Sequence, residues 1–525
     1  MSLLKRMPEL INNEILSFLL LPVFLILLYR WSCSTSGTRN PPPSPSKLPI
    51  IGNLHQLGSL STPPHRAFQA LSKVYGPLML LHFRSSPVLV VSSAEGAREI
   101  MKTHDLAFSS RPKTTAFEKL LYNCKDVAVA PYGDYWRQVK SICVLHLLSA
   151  KKVRSFRTLR EDETRSMIRN IKETSQRGEV VDVRKMVMGL TNDVVSRAAL
   201  GKKYYNDGDF KELTTEFTEL AGSIHLGDYI PWLGWLSRLA GLDAKLDSLA
   251  KRYDAFMDSV LQEHIDKSWD TSNENDQGSD DDQNEDNRDF VDVLLEIQRE
   301  NLLQFPLDRT SIKAVVQDMF LAGTDTTSTL LEWEMAEVLK HPRVMSKLQK
   351  ELRAVKKGEE EILTEDDLVD MHYLKTVIKE ALRLHPSFTL LLPKMSIQDV
   401  KIKGYDIKAN TQVLVNVWQI GRDPKSFNHK PEEFEPERFL GVNSGLSYKG
   451  TDFEYLPFGA GRRLCPGIQF ATTVNEIGLA NLLHKFDWTL PGGVRNEDLD
   501  MSESSGLTIH KKYPLKAMAI PHSSA

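Results

Sequence analysis

The feature that most restricts this chain is the loop Phe458-Gly459-Ala460-Gly461-Arg462-Arg463-Leu464-Cys465-Pro466-Gly467, which runs straight into an apolar helical pattern. Its glycines permit backbone conformations closed to other residues and let the main chain approach a flat ligand. Pro466 suits the first turn of a helix, where a missing N–H costs nothing. The pattern predicts a helix over Pro466–Lys485 with Cys465 at its N-terminus. Unpaired N–H groups and the helix dipole at such a place stabilise a thiolate, the form of cysteine that binds metals. The plainer reading of a lone cysteine beside a glycine turn is a buried structural residue. Four cysteines occur, Cys33, Cys124, Cys143 and Cys465, with no C-x-x-C pair. Neither a disulfide framework nor a four-cysteine zinc site is therefore expected.

The rest of the chain reads as mainly helical. Its 525 residues, 41% hydrophobic, supply a large core, and a net charge of −3 argues against a nucleic-acid partner. Apolar spacing predicts helices over Ala94–His104, Tyr135–Leu148, Lys152–Arg177, Asp182–Gly201 and Asp243–Lys267. Further helices are predicted over Asp308–His341, capped by Asp308 or Thr310, and over Pro342–Lys356 and Glu365–Leu384. Strands are predicted at Leu78–Phe83 and Val88–Ser92, with a turn at Ser85-Ser86-Pro87, and within Ile397–Trp418 around a turn at Gly404. Asp270–Asp289 holds nine carboxylates and one arginine, a solvated excursion between two helices.

The N-terminus reads separately. Ile15–Trp31 is apolar except for Ser17 and Arg30. As a helix it reaches about 25 Å, near the short limit for one membrane span. A cleaved signal peptide is the alternative, but a cysteine-poor chain does not look secreted. Pro41-Pro42-Pro43-Ser44-Pro45 and Pro49 then favour a stiff extended hinge. The expected organisation is an anchor over 1–31, a proline-rich hinge over 32–49 and a catalytic domain over 50–525.

Two further motifs carry chemistry. Ala322-Gly323-Thr324-Asp325-Thr326-Thr327 lies inside the longest predicted helix, flanked by Val315, Val316, Phe320, Leu330 and Leu331. Small and polar residues at the centre of a buried helix are locally unfavourable, and Gly323 alone costs about 1 kcal/mol against alanine. Thr326 can bond back to the carbonyl of Ala322 and open a groove in the helix. Close packing of a second helix is the competing reading. Glu380 and Arg383 lie three apart on one helix face, a spacing that serves a surface ion pair equally well.

Taken together, the F-x-x-G-x-R-x-C-x-G loop, the A-G-T-D-T-T helix, the E-x-x-R pair and Pro436-Glu437-Arg438-Phe439 resemble the cytochrome P-450 group. The likeness is to the plant A-type microsomal class, and within it to family seventy-one. It implies a mainly α fold with small β-sheets, the cytochrome P-450 fold, preceded by an N-terminal membrane-anchor helix. It implies haem b bound through Cys465, within the loop residues Phe458, Gly459, Gly461 and Gly467. Arg463, Trp136, Lys140, Arg111 and Lys394 are the implied propionate contacts. Lys140 and Lys394 stand where relatives usually carry arginine, which keeps the charge but loses the bidentate fork. Asp325 and Thr326 are the implied proton relay, and Glu380, Arg383 and Arg438 the implied buried ion network.

The resemblance also implies partners. Electrons come from NADPH through a membrane-bound NADPH–cytochrome reductase, with cytochrome b5 as a second donor, docking near Arg137 and Arg462. The location is the endoplasmic reticulum membrane, with the catalytic domain in the cytosol. The substrate pocket is expected from Thr114–Val129, Asp318–Thr326, Ser387–Leu392 and Ser504–Leu507, roofed by Thr215–His225. Phe117, Leu120, Leu121, Phe388, Leu390, Leu391 and Leu507 make it apolar. The expected activity is O2-dependent oxidation of an apolar terpenoid, alkaloid or phenolic. The alternatives are dehydration or rearrangement on the same haem, or a non-catalytic haem or ligand scaffold.

Overall fold

The structure is a computed structural model that describes residues 20–25, 28, 40–49, 51–57, 62–84, 86–204, 208–222, 225–229, 232, 234–274, 288–300, 306–355, 362–427, 430–504 and 506–522. Most of the expected anchor, part of the hinge and most of the acidic segment lie outside the described residues. Among the described residues no helix is long and apolar enough to cross a membrane.

The first elements are helix α1 (Pro64–Tyr75), strands β1 (Leu78–Phe83) and β2 (Ser86–Val91), and helices α2 (Ala94–Arg98), α3 (Thr115–Leu120) and α4 (Asp134–Ile142). Helices α5 (Ala150–Ser155) and α6 (Arg157–Gln176) follow, then β3 (Val181–Asp182) and α7 (Val183–Leu200). Next come α8 (Gly208–Ala221), α9 (Leu226–Tyr229), α10 (Gly234–Leu239), α11 (Leu242–Glu274) and α12 (Phe290–Arg299). The long helix α13 (Arg309–Lys340) leads to α14 (Pro342–Arg353) and α15 (His372–Leu384). Strands β4 (Lys394–Met395), β5 (Val400–Ile402), β6 (Tyr405–Ile407) and β7 (Gln412–Val415) precede α16 (Val417–Ile420), α17 (Ile468–Lys485), β8 (Phe486–Thr489) and β9 (Lys516–Pro521). The sheets are small, in the orders β1-β2-β7-β4, β3-β9-β8 and β5-β6.

Several expectations shift. Phe156 interrupts the helix expected over Lys152–Arg177, and α15 begins at His372 rather than Glu365. The stretches after α2 and α4 widen into π-helical turns at Glu99–Thr103 and Cys143–Leu147. Helices α1, α3 and α12 were not predicted; α3 has only six residues, too short for a helical period to register. The proline hinge is no free linker where it is described. Pro42 and Pro45 are buried, and Pro43 O accepts the Leu80 N–H at 2.9 Å.

Helix α13 runs through the middle of the core, buried on almost every side, which its nearly uniform apolar flanks dictate. Asp308 caps it, accepting the Ser311 N–H at 2.7 Å. Behind the cysteine loop the implied ion network is closed and dry. Glu380 Oε2 takes Arg383 Nε at 2.7 Å, and Glu380 Oε1 takes Arg383 Nη2 and Arg438 Nε at 2.8 Å each. Arg383 also donates to the carbonyls of Gly421, Pro431 and Glu433. These bonds tie α15 to the segment before the cysteine loop and replace the water both charges lose on burial.

Candidate active site

One cavity of about 330 Å³ brings the separated motifs together. Cys465, Phe458, Gly459, Arg463 and Gly467 line it together with Ala322, Gly323, Asp325 and Thr326. Trp136, Lys140, Arg111 and Lys394 also border it. Gly461 does not line it and serves the loop's shape instead. Its φ is +69°, and a Cβ there would stand 2.3 Å from the Met101 carbonyl oxygen. Gly459 has φ +73°. The Cys465 N–H donates to Phe458 O at 3.2 Å and closes the loop.

The cysteine is not at the helix start the sequence predicts. Helix α17 begins at Ile468, with Gly467 as its N-cap, so Pro466 lies in a turn. Of the main-chain donors there, the Gly467 N–H is the one that acts to lower the thiol. Burial pushes the Cys465 thiol up, against the opposing pull of that N–H and of Lys140. Lys140 Nζ donates to Leu464 O at 2.8 Å, so its charge is held beside the cysteine loop.

The implied propionate contacts converge, though most of their donors end on main-chain carbonyls. Trp136 Nε1 donates to Val127 O at 3.0 Å. Arg463 donates to Ser109 O, Val127 O and Ala130 O, with its guanidinium 4.0 Å from the Trp136 ring. Arg111 donates to Ala128 O, Leu392 O and Pro393 O. Lys394 is different: its Nζ is buried with no hydrogen-bond partner. Burial and the nearby Arg111 lower its pKa to about 7. Burial and Arg111 likewise lower Arg463 to about 9. Buried cations that repel one another mark a place built for an anion.

Where it borders the cavity α13 stays helical throughout. Thr326 Oγ1 donates to Ala322 O at 2.6 Å, but no break opens in the ladder. Gly323 also serves packing, since a Cβ there would lie 3.2 Å from Val195 on α7. Asp325 Oδ1 stands 3.3 Å from His510 Nε2, a partner that sequence reasoning missed. Nothing in the local pattern of the C-terminal loop marks that histidine. Ser387 Oγ donates to Thr326 O at 3.0 Å. Phe117, Leu121, Phe388, Leu391 and Leu507 line the cavity as expected, with Thr218 above. Leu120 and Leu390 do not line it, and each packs within a hydrophobic cluster.

A cysteine and the small and polar residues of α13 lining one cavity agree with the comparisons. The cytochrome P450 family model matches residues 42–517. The chain belongs to the cytochrome P450 family. It is 60% identical to cytochrome P450 736A117 of Prunus mume, over 97% of this chain and 96% of that one. It is 50% identical to cytochrome P450 71A4 of Solanum melongena, over 96% and 98%. It is 49% identical to a norfluorocurarine oxidase of Strychnos, over 97% and 98%. A solved zebrafish cytochrome P450, 24% identical, shares the fold with a TM-score of 0.70 over 88% of this chain and all of that one.

The protein is thus a cytochrome P450 monooxygenase, an oxidoreductase of a family that uses haem. The residues present fit that group. Cys465 is half-buried at the cavity, and the partnerless Lys394 ammonium, beside Arg111 and Arg463, suits the carboxylates that haem carries.

Proposed function

We propose that this cytochrome P450 is a haem-thiolate monooxygenase that oxidises an apolar plant specialised metabolite, a terpenoid, alkaloid or phenolic, with electrons from NADPH through a reductase. The observation that carries this reading is that Cys465, Asp325 and Thr326 line one cavity.

Bound haem supplies an iron centre at which molecular oxygen is activated, and cysteine ligation in this family favours O–O cleavage. Cys465 would hold the iron through its sulfur, and the Gly467 N–H would moderate the charge on that sulfur. Arg111, Lys140, Lys394, Arg463 and Trp136, which border the cavity, would hold the haem carboxylates. Thr326 and Asp325 line the cavity, and together they would hold and pass protons there. Phe117, Phe388, Leu391 and Leu507 exclude water and orient an apolar substrate. That a 49% identical relative is named as an oxidase of norfluorocurarine supports a specialised metabolite as substrate.

A reductase docks on the face that carries Arg137 and Arg462; the first is exposed, the second bonds Asp105 at 2.6 Å. Residues 1–31 anchor the chain in the endoplasmic reticulum membrane and 32–49 set the orientation of the catalytic domain 50–525.

The test uses purified protein with a plant reductase. Reduction under carbon monoxide gives the red-shifted Soret band of thiolate ligation, and Cys465→Ser abolishes it. Metabolites that shift the resting haem spectrum are then assayed for NADPH-dependent, oxygen-consuming product formation. Product formed without oxygen would replace the monooxygenase reading with dehydration or rearrangement.

A further inference from the structure

The loop Asp126–Ala130 lies between α13 and the cation cluster, and its main-chain groups face two ways. Toward α13, Asp318 Oδ2 accepts the Val127 N–H at 3.0 Å and the Ala128 N–H at 2.9 Å. Asp126 Oδ2 accepts the Val129 N–H at 3.0 Å. Toward the cations, Val127 O accepts Trp136 Nε1 and Arg463 Nη1. Ala128 O accepts Arg111 Nε, and Ala130 O accepts Arg463 Nη2.

Peptide planarity couples the two sides. The N–H of one residue and the C=O of the residue before it belong to one rigid plane and point in opposite directions. The Ala128 N–H on Asp318 therefore fixes the Val127 carbonyl that holds Trp136 and Arg463. The Val129 N–H on Asp126 likewise fixes the Ala128 carbonyl that holds Arg111. Asp318 is 8% exposed and makes no ion pair among the described residues. A buried carboxylate with that environment is retained for the two N–H groups it satisfies.

We propose that Asp318 is a positioning residue of the haem cradle: it latches the 126–130 loop to α13 so that the loop's carbonyls hold Trp136, Arg111 and Arg463 in register for the haem carboxylates. This rests on the haem reading of the cavity. Asp318 lines the cavity too, but its oxygen is committed to the loop. Both N–H groups end on the same oxygen, so an asparagine at this position still supplies the acceptor, whereas leucine does not.

The test is transfer of haem from purified holoprotein to excess apomyoglobin. Asp318→Leu is expected to release haem about tenfold faster or more, since two buried N–H groups lose their acceptor. Asp318→Asn is expected to stay within about twofold of the parent, because the oxygen remains. An Asp318→Leu variant that holds haem like the parent overturns the proposal. So does an Asp318→Asn variant as leaky as Asp318→Leu, because charge and not the shared oxygen would then be the cause. If Asp318→Leu yields no holoprotein, hydrogen exchange in the parent decides: slow exchange at Val127 and Ala128 supports the latch, and fast exchange overturns it. A parent protein that takes up no haem overturns the haem reading instead, a result distinct from either.

Discussion

The Asp325 carboxylate meets the imidazole of His510, with Oδ1 3.3 Å from Nε2, joining the middle of α13 to the C-terminal loop. The other ring nitrogen lies 2.8 Å from Thr329 Oγ1, and that hydroxyl donates its one proton to Asp325 O at 2.7 Å. The two side chains and the Thr329 hydroxyl therefore form one polar cluster beside the cavity that Asp325 lines.

His510→Phe is accordingly expected to lower product formed per NADPH consumed, by about tenfold. The lost electrons emerge as hydrogen peroxide. His510→Gln, which keeps a donor toward Asp325, recovers part of the coupling. Unchanged coupling in His510→Phe would count against a role for the pair.

Glu380→Ala leaves Arg383 and Arg438 buried without their carboxylate. Removal of one partner from such a network costs about 3–5 kcal/mol. The variant is expected to accumulate without haem, read as loss of Soret absorbance per milligram of protein. Normal haem content would refute the role of the network.

Lys394 gives a pH signature to haem-depleted protein. Its folded pKa lies near 7, below the ordinary 10.5. Between those values the unfolded chain binds the proton and the folded chain does not, so stability rises with pH across that window. Below about pH 7 both states are charged and the full penalty of the buried cation remains. Lys394→Met is expected to raise stability near pH 7 and to flatten the parent's rise, measured as denaturation midpoints from pH 7 to 10. An equal slope in parent and variant would sink this assignment.

Gly461→Ala combines a positive φ with a Cβ 2.3 Å from the Met101 carbonyl. The strained conformation alone costs about 1–3 kcal/mol, and the collision moves the loop that carries Cys465. A lower Tm and faster haem loss are expected. Gly445→Ala, where a Cβ meets nothing within 4 Å, is the control. Equal Tm losses in both variants would contradict the account.

The longest helices were legible before folding, although α1, with twelve residues, and α12, with ten, were not. Helix α13 is seen within two residues of its predicted ends because its apolar flanks repeat over many turns. Helix α3, with six residues, and α15, preceded by a turn at Asp366–Leu368, escape or blur for want of such repetition. In the site, Cys465, Gly461, Asp325, Thr326 and the Glu380–Arg383 pair stand in contiguous motifs and could be named. His510 and the tie from Asp318 to the 126–130 loop could not, because they depend on partners 185 and 191 positions away.

Order along the chain thus sets whatever depends on neighbours: the glycine loop, the helix that receives small residues at its centre, and the three-residue spacing of Glu380 and Arg383. Folding sets whatever depends on distance. It buries Lys394 among other cations, places one oxygen of Asp318 on two distant amides, and packs Leu120 and Leu390 in hydrophobic clusters instead of the cavity lining. The physical reason is that desolvation and hydrogen bonding act through space, and a linear pattern records only what recurs within a few residues.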